Sequence, residues 1–459
     1  MSPVDLAIIG AGPAGMSAAV AARQVGLRVL VVDEQPQPGG QIFRAIGRAD
    51  ASRLHVLGHD YAKGAELVSA FQGCGAEYLP GALLWNVERE GAGPLLLDVS
   101  TSSGSRRIPA ATLLVATGAV ERPVPVPGWT LPGVTTAGAL QIMLKAHGSV
   151  AEGAVLAGAG PLLLLLAQQM VAAGAPPRAV VEIGPANRLG QALPHLAGAL
   201  RGWRYLAKGA KLLAAIRRAG VPIHKGATGF EILGETEARG VRFTSGGKVV
   251  EIATEHVALH MGVVPNQQLT RMLRCEHDWH PSQQAFVPRI DATCATTEPG
   301  VYVAGDGGGI GGAAAAALQG RFVALTIALR SGRNVPAAEM AALRAALARD
   351  RAVRPFLEAL YAPAEEVLAP ADATVICRCE EVTAGTIRAS LQDGAPGPNQ
   401  LKAFLRCGMG PCQGRTCGPA VSALVARARG ISEGEAGYFR IRPPLKPLPL
   451  SELAAIAEE

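Results

Sequence analysis

The sequence predicts an α/β protein with two Rossmann-like βαβ domains and a small C-terminal cysteine-rich domain. Three observations predict it. Stretches 5–34 and 154–183 each run from an apolar strand through a glycine turn and a helical run to a second apolar strand ending in an acid. Apolar residues make up 49% of the chain and charged residues 17%, and its 56 glycines suit the turns of open α/β sheets. Five of the eight cysteines fall between residues 377 and 417.

The first unit carries "GAGPAG" at residues 10–15. Gly10 makes the tight turn off the strand, Gly12 lets backbone N–H groups approach a pyrophosphate, and Gly15 lets the helix pack close to the strand. Pro13 and Ala14 open a helix whose N-terminal N–H donors suit phosphate oxygens. Asp33, followed by Glu34 and Gln35, ends the next strand at a spacing that suits an acceptor for a ribose hydroxyl. Three further segments favour FAD over NAD as the ligand: "QPGGQIFR" with Gly40 and Gln41, "VATGA" with Thr117 and Gly118, and "VYVAGDGGG" with Gly305 and Asp306. The last resembles the second FAD fingerprint of two-dinucleotide flavoproteins. The expected fold is therefore two dinucleotide-binding domains of that kind plus an iron–sulfur domain.

The second unit departs from the rule. "GAGPLL" supplies Gly158 and Gly160 but puts Leu163 where the third glycine belongs, which prevents the close helix–strand approach. Glu182 stands ready for a ribose, and Arg188 is only loosely placed for a 2′-phosphate. An adenine nucleotide such as ATP, a second FAD or nothing at all is expected there in preference to working NAD(P)H chemistry.

Along the chain, residues 1–145 and 266–335 are expected to form a discontinuous FAD domain around a second nucleotide domain at 146–265. A helical connector and linker follow at 336–371, then a 2Fe–2S domain at 372–432 and a Pro-rich tail at 433–459. The net charge of +6 is scattered, without the Lys/Arg runs of a nucleic-acid binder. The longest uncharged stretch, 153–177, breaks into strand, turn and helix, so no membrane span is expected. With no visible signal peptide, a cytoplasmic location is expected, peripheral to the membrane through an electron acceptor.

No catalytic acid, base or nucleophile is legible. Cys74, Cys275 and Cys294 are isolated, so the paired cysteines of disulfide reductases are missing. His55, His59, His195 and His260 have no metal-like or triad-like spacing, and Glu380 and Glu381 read as solvated. That pattern fits a chain that moves electrons while a partner performs substrate chemistry.

The cysteine region has a C-x-C at Cys377 and Cys379, then a glycine-rich stretch with Cys407, Cys412 and Cys417. Four thiolates can hold a 2Fe–2S cluster, and the glycines free N–H groups to turn toward sulfur. Zinc prefers C-x-x-C knuckles, and disulfides suit another compartment. Cys407 to Cys412 and Cys412 to Cys417 are both C-x-x-x-x-C, so spacing leaves the second ligand pair open.

"GAGPAG", "ATGAVERPVPVPGWTLPGV", "HMGVVPNQQLTR", "VYVAGDGGGIGG" and "CRCEEVT…CGMGPCQGRTCG" together resemble the α (A) subunits of multisubunit, dye-linked amino-acid dehydrogenases. These include the opine, D-hydroxyproline and L-proline dehydrogenases and hydrogen cyanide synthase. The cysteine domain is similar to the bacterioferritin-associated ferredoxin domain. The resemblance implies an FAD-dependent, substrate-oxidising β subunit. In some members it also implies FMN at a subunit boundary, together with a ferredoxin-like γ subunit. It implies an oxygen-independent passage of electrons from an amino acid or opine through flavin and cluster to a quinone or cytochrome. It also implies Cys377, Cys379, Cys412 and Cys417 as ligands, with Cys407 dispensable. The alternatives are an autonomous NAD(P)H-dependent reductase, a hydrogen cyanide synthase subunit oxidising glycine, and a non-enzymatic nucleotide-binding scaffold.

Overall fold

The structure, a computed structural model, describes residues 3–457. Strands Leu6–Ile9, Val29–Asp33, Glu77–Pro80, Leu113–Val115 and Val301–Val303 form one parallel sheet, with Leu6–Ile9 at its centre. The inner strands are apolar on both faces because both faces are covered. Leu6, Ile8, Val29 and Val31 face the helices Pro13–Gln24 and Ala313–Arg330. Ala7, Ile9, Leu30 and Val32 face an antiparallel sheet of Leu83–Arg89, Leu95–Thr101 and Gly104–Ala110. The two helices cross closely at Gly320, where a Cβ would lie 2.0 Å from the Ala14 carbonyl oxygen.

A second sheet of seven strands holds five in parallel: Val134–Thr136, Val257–Met261, Val155–Ala159, Ala179–Ile183 and Ile223–Leu233. Gly240–Ser245 and Lys248–Ala253 extend it antiparallel. Its edge strand Val134–Thr136 leads into the helix Ala137–His147, so this sheet recruits chain from before residue 146. Ala119–Glu121 pairs with Val263–Pro265, which joins the two sheets where the chain crosses between them.

Among the described residues one helix, Ala313–Arg330, is long and apolar enough to cross a membrane, and 61% of it is buried inside the protein. Its apolarity is that of a core helix. The uncharged stretch 153–177 is the strand Val155–Ala159 followed by the helix Pro161–Ala172, as its pattern implied.

The cysteine region is a short hairpin, Val375–Cys377 with Val382–Thr383, carried on the helices Ala384–Gln392, Pro398–Leu405 and Gly418–Arg429. The tail is held at two points. The Leu445 N–H donates to the Trp85 carbonyl at 2.9 Å, and a final helix, Leu450–Ala457, returns to the strand Gly104–Ala110, where the Ser105 hydroxyl meets the Glu452 carboxylate at 3.3 Å.

Candidate flavin site and cysteine centre

The glycine turn at residues 10–15 needs its glycines for steric reasons that can be read atom by atom. Gly10 has φ +106°, and a Cβ there would sit 2.6 Å from the Ala116 carbonyl oxygen. A Cβ on Gly15 would sit 1.8 Å from the Gly10 oxygen. The loop carrying Gly40 rests on Gly12, since a Gly40 Cβ would lie 2.9 Å from the Gly12 Cα. Asp33 is buried at the end of its strand. It accepts the Ala11 N–H and, at 2.7 Å, the Gln35 N–H. Burial pushes its carboxyl up, opposed by these donors. Asp33 thus shapes the turn, with lone pairs to spare for a further donor.

The other segments converge on the same place. The Asn266 N–H donates to the Gly118 carbonyl at 2.9 Å, and a Cβ on Gly307 would lie 3.4 Å from that oxygen. A Cβ on Gly305 would come within 3.0 Å of the Ala14 Cβ, so the two fingerprints touch. Asp306 accepts the Gly311 and Gly312 N–H groups, both at 2.8 Å, and so folds the loop that opens the helix Ala313–Arg330.

Several supporting residues carry no sequence signal. Arg44 bridges the side chains of Gln35 and Gln41. Lys145 is 3% exposed and donates to the Gln41 carbonyl at 3.0 Å and the Gln141 side chain at 2.8 Å. Burial, with the Arg44 charge adding to it, pulls its ammonium down to about 7. Gln141 continues to Gln169 at 3.0 Å, and Gln169 to the Leu57 carbonyl at 3.2 Å, which makes a buried polar chain from the flavin loop through the helix Pro161–Ala172 and back to the helix that ends at Leu57. Arg351 and the Gly305 N–H share the Gln319 side-chain oxygen.

At the second site a Cβ on Gly158 would lie 1.7 Å from the His260 carbonyl oxygen, and one on Gly160 would lie 2.8 Å from the His260 ring. Leu163 is 1% exposed in the core formed with Leu156 and Leu166, the place that a close strand–helix contact would take. Glu182 pairs in register with Gly158. Arg188 is turned back on the Ile183 carbonyl at 2.7 Å, and burial draws its pKa down. His260, read from sequence as an ordinary core or surface histidine, holds Glu121 through Nδ1 at 2.7 Å, and Glu121 accepts the Gly138 N–H at 2.9 Å. The imidazole thus stands on the glycine turn.

The five clustered cysteines form a buried trio and a more exposed pair. The sulfurs of Cys377, Cys407 and Cys417 are buried and lie within 4.8 Å of one another, while Cys379 lies at the surface and hydrogen-bonds with the half-buried Cys412. Thiol donors from Cys407 and Cys417, and the N–H groups of Gly408 and Glu380, pull the Cys377 thiol down to about 2. The donor set is all sulfur, and the surrounding N–H groups suit thiolates bound to iron. Fit to a thiolate-held cluster is therefore good. Cys407 stands as deep as Cys417, so depth does not make it the spare.

The centre is tied to the cores beside both sheets. Trp129 donates to the Val375 carbonyl at 2.7 Å, and Arg378 lies over its ring. Arg271 is sandwiched between Phe286 and Tyr438, 4.9 and 4.4 Å from the ring centroids. Trp279, Phe286, Tyr438 and Phe439 form a ring series with successive centroids 5.1, 5.9 and 5.8 Å apart. Phe439 packs on Gly408 and Gly414 of the cysteine loop. Arg415, between Cys412 and Cys417, donates to the Cys412 and Leu445 carbonyls, both at 3.1 Å.

Comparison with known proteins accords with this geometry. The pyridine nucleotide-disulphide oxidoreductase family model matches residues 4–320, and the BFD-like [2Fe-2S] binding domain matches residues 375–427. The A-type subunit of the opine oxidase of Rhizobium meliloti (strain 1021) is 44% identical over the full length of both chains. Hydrogen cyanide synthase subunit HcnB of Pseudomonas aeruginosa is 33% identical over 98% of each. The L-proline dehydrogenase of P. horikoshii shares the fold with a TM-score of 0.73 at 18% identity, over 98% of this chain and 79% of that one. The chain is thus a member of the pyridine nucleotide-disulphide oxidoreductase family, in the group of A-type opine oxidase subunits that end in a BFD-like 2Fe–2S domain.

Proposed function

We propose that this chain is the FAD- and 2Fe–2S-carrying electron-transfer subunit of a heteromeric, oxygen-independent dehydrogenase acting on a C–N bond of an amino acid or opine. The observation that carries the reading is the meeting, in one chain, of two converging dinucleotide fingerprints and a five-cysteine centre. The substrate-oxidising site then belongs to a β flavoprotein, with a ferredoxin-like γ subunit in some assemblies, and electrons leave to a quinone or cytochrome at a membrane.

FAD takes an electron pair and a 2Fe–2S cluster passes single electrons, so a chain holding both converts two-electron oxidation into one-electron delivery. The residues proposed to hold FAD are Gly10, Gly12, Pro13, Ala14, Gly15, Asp33, Glu34, Gln35, Gly40, Gln41, Thr117, Gly118, Gly305 and Asp306. Gly12 and the N-terminus of Pro13–Gln24 would take the pyrophosphate, Asp33 the ribose, and Asp306 the ribityl side. Cys377, Cys379, Cys412 and Cys417 are the proposed iron ligands, and Cys407 backs Cys377 as a thiol donor. Gly158, Gly160 and Glu182 frame a second site for a non-redox adenine nucleotide, and an FMN would sit at a subunit boundary. Leu163 and the His260 ring on the turn oppose an autonomous NAD(P)H reductase.

The test is to purify the chain with its co-expressed neighbours. Flavin and iron–sulfur absorbance should be present, and an opine or amino acid should bleach the complex while NADH leaves the isolated chain oxidised. Absence of both chromophores, or rapid bleaching of the isolated chain by NADH, sinks the proposal.

A further inference from the structure

Between the strand Ala179–Ile183 and the helix Trp203–Arg218 the chain inserts the short helices Arg188–Ala192 and Leu196–Arg201, joined by the single turn Leu193–His195. Leu189, Leu193, Leu196, Leu200 and Trp203 are 60, 53, 41, 61 and 61% exposed. Their spacing alternates four, three, four, three residues. That is the spacing of a coiled-coil seam, which buries one helix face against another. Here the seam faces outward.

The inner side of the same insertion is well packed. Ala192 and Ala199 bury against Phe356, and a Cβ on Gly202 would press on Val353 at 2.6 Å. The insertion is therefore held in place while its outer side is left apolar. A contiguous apolar stripe rimmed by charge marks an interaction site.

Three observations choose the occupant. From residue 184 to residue 230 the chain has eight Lys or Arg and no Asp or Glu. Arg201, Arg204 and Lys211, on or beside the stripe, are exposed and form no ion pair among the described residues. The rim thus asks for carboxylates. Finally, the helix Arg354–Leu360 under the stripe also holds the flavin loop: Arg354 donates to the Gly311 carbonyl, and Glu358 accepts from Gln283 at 2.7 Å, which in turn accepts the Ile310 N–H at 2.9 Å. The insertion and the helix Arg354–Leu360 thus link the stripe to the segment that carries Asp306. A protein bound there brings its own redox group toward this flavin, which a lipid surface would not require.

We infer that residues 189–203 are the docking face for the substrate-oxidising flavoprotein subunit, which lays an apolar helix flanked by carboxylates along this stripe. The inference rests on the heteromeric reading proposed above and adds to it the surface of contact. Docking would fix the partner's flavin on the Asp306 side of this one.

The test places a photo-crosslinking amino acid at position 193 or 200 in the full chain, co-expressed with its neighbouring flavoprotein, and compares Leu200→Glu/Trp203→Glu with the unaltered complex by mass and association constant. Cross-links into the flavoprotein, and at least a hundredfold weaker association of a double variant that keeps its FAD and melting temperature, support the assignment. Restoration of binding when Arg204→Glu is matched by a Glu→Lys change at its cross-linked contact would fix the charge register. Equal association of the double variant overturns the proposal. So do cross-links to a second copy of this chain, or loss only of binding to vesicles with about one-third anionic lipid. If the unaltered chain assembles with no flavoprotein at all, the heteromeric reading fails as well; if it assembles through another face, only the docking site fails.

Discussion

At Gly15 one hydrogen atom stands where any other residue would put carbon 1.8 Å from the Gly10 carbonyl oxygen. Gly15→Ala should therefore displace the helix Pro13–Gln24 from its strand, at a cost of about 3 kcal/mol or more for overpacking. Bound FAD, read from the flavin-to-protein absorbance ratio, should fall at least tenfold. Lys145 makes a different kind of prediction. Its folded pKa of about 7 lies below the ordinary 10.5, so between those values the unfolded chain binds a proton that the folded chain has released. Stability then rises with pH through that window, and below pH 7 the full penalty of a buried ammonium applies, on the order of 5 kcal/mol. Lys145→Met in the FAD-free chain should gain most over the parent at pH 6, with the gap closing toward pH 10 in denaturant titrations. A gap independent of pH would show that the ammonium carries no burial penalty.

At the scale of elements, the two glycine turns show what a sequence can and cannot disclose. The first unit was legible because strand, turn and helix lie within thirty residues and each glycine answers a local steric demand. Leu163 was legible for the same reason, as a break in that local rule. The pair of Glu121 and His260 was not: its members are 139 residues apart, and a lone histidine in an apolar strand has no spacing to mark it. Lys145, reaching Gln41 across 104 residues, was hidden in the same way. The cysteine loop lies between these cases. Its residues announced a metal centre, yet spacing could not separate Cys407 from Cys417, and in the fold both sulfurs stand within 4.8 Å of Cys377. Cys417→Ser should abolish the iron content of the purified chain and Cys407→Ser should leave it near the parent value. The opposite pattern would transfer the ligand role to Cys407.

At the scale of the molecule, the iron–sulfur domain is not a bead on a linker. The tail that follows it passes Arg415, meets Trp85 through Leu445, and pairs Lys446 with Glu34, the residue beside Asp33. A chain ending at residue 444 loses these contacts, and with them the final helix against Gly104–Ala110. Its FAD should dissociate at least several-fold faster, measured by recovery of flavin fluorescence, while a chain with only Lys446→Ala should show a much smaller change, since an exposed ion pair contributes little.

The contact of Lys446 with Glu34 also bears on the order of events in biosynthesis. The glycine turn and Asp33 leave the ribosome well before Gly305 and Asp306, and Lys446 follows those in turn. The proposed cradle is therefore assembled only once residues 305–312 have been made, because Gly305 packs on Ala14 and Asp306 folds the loop to Gly312. Retained flavin would therefore report a chain translated past Asp306, and not the early glycine turn alone.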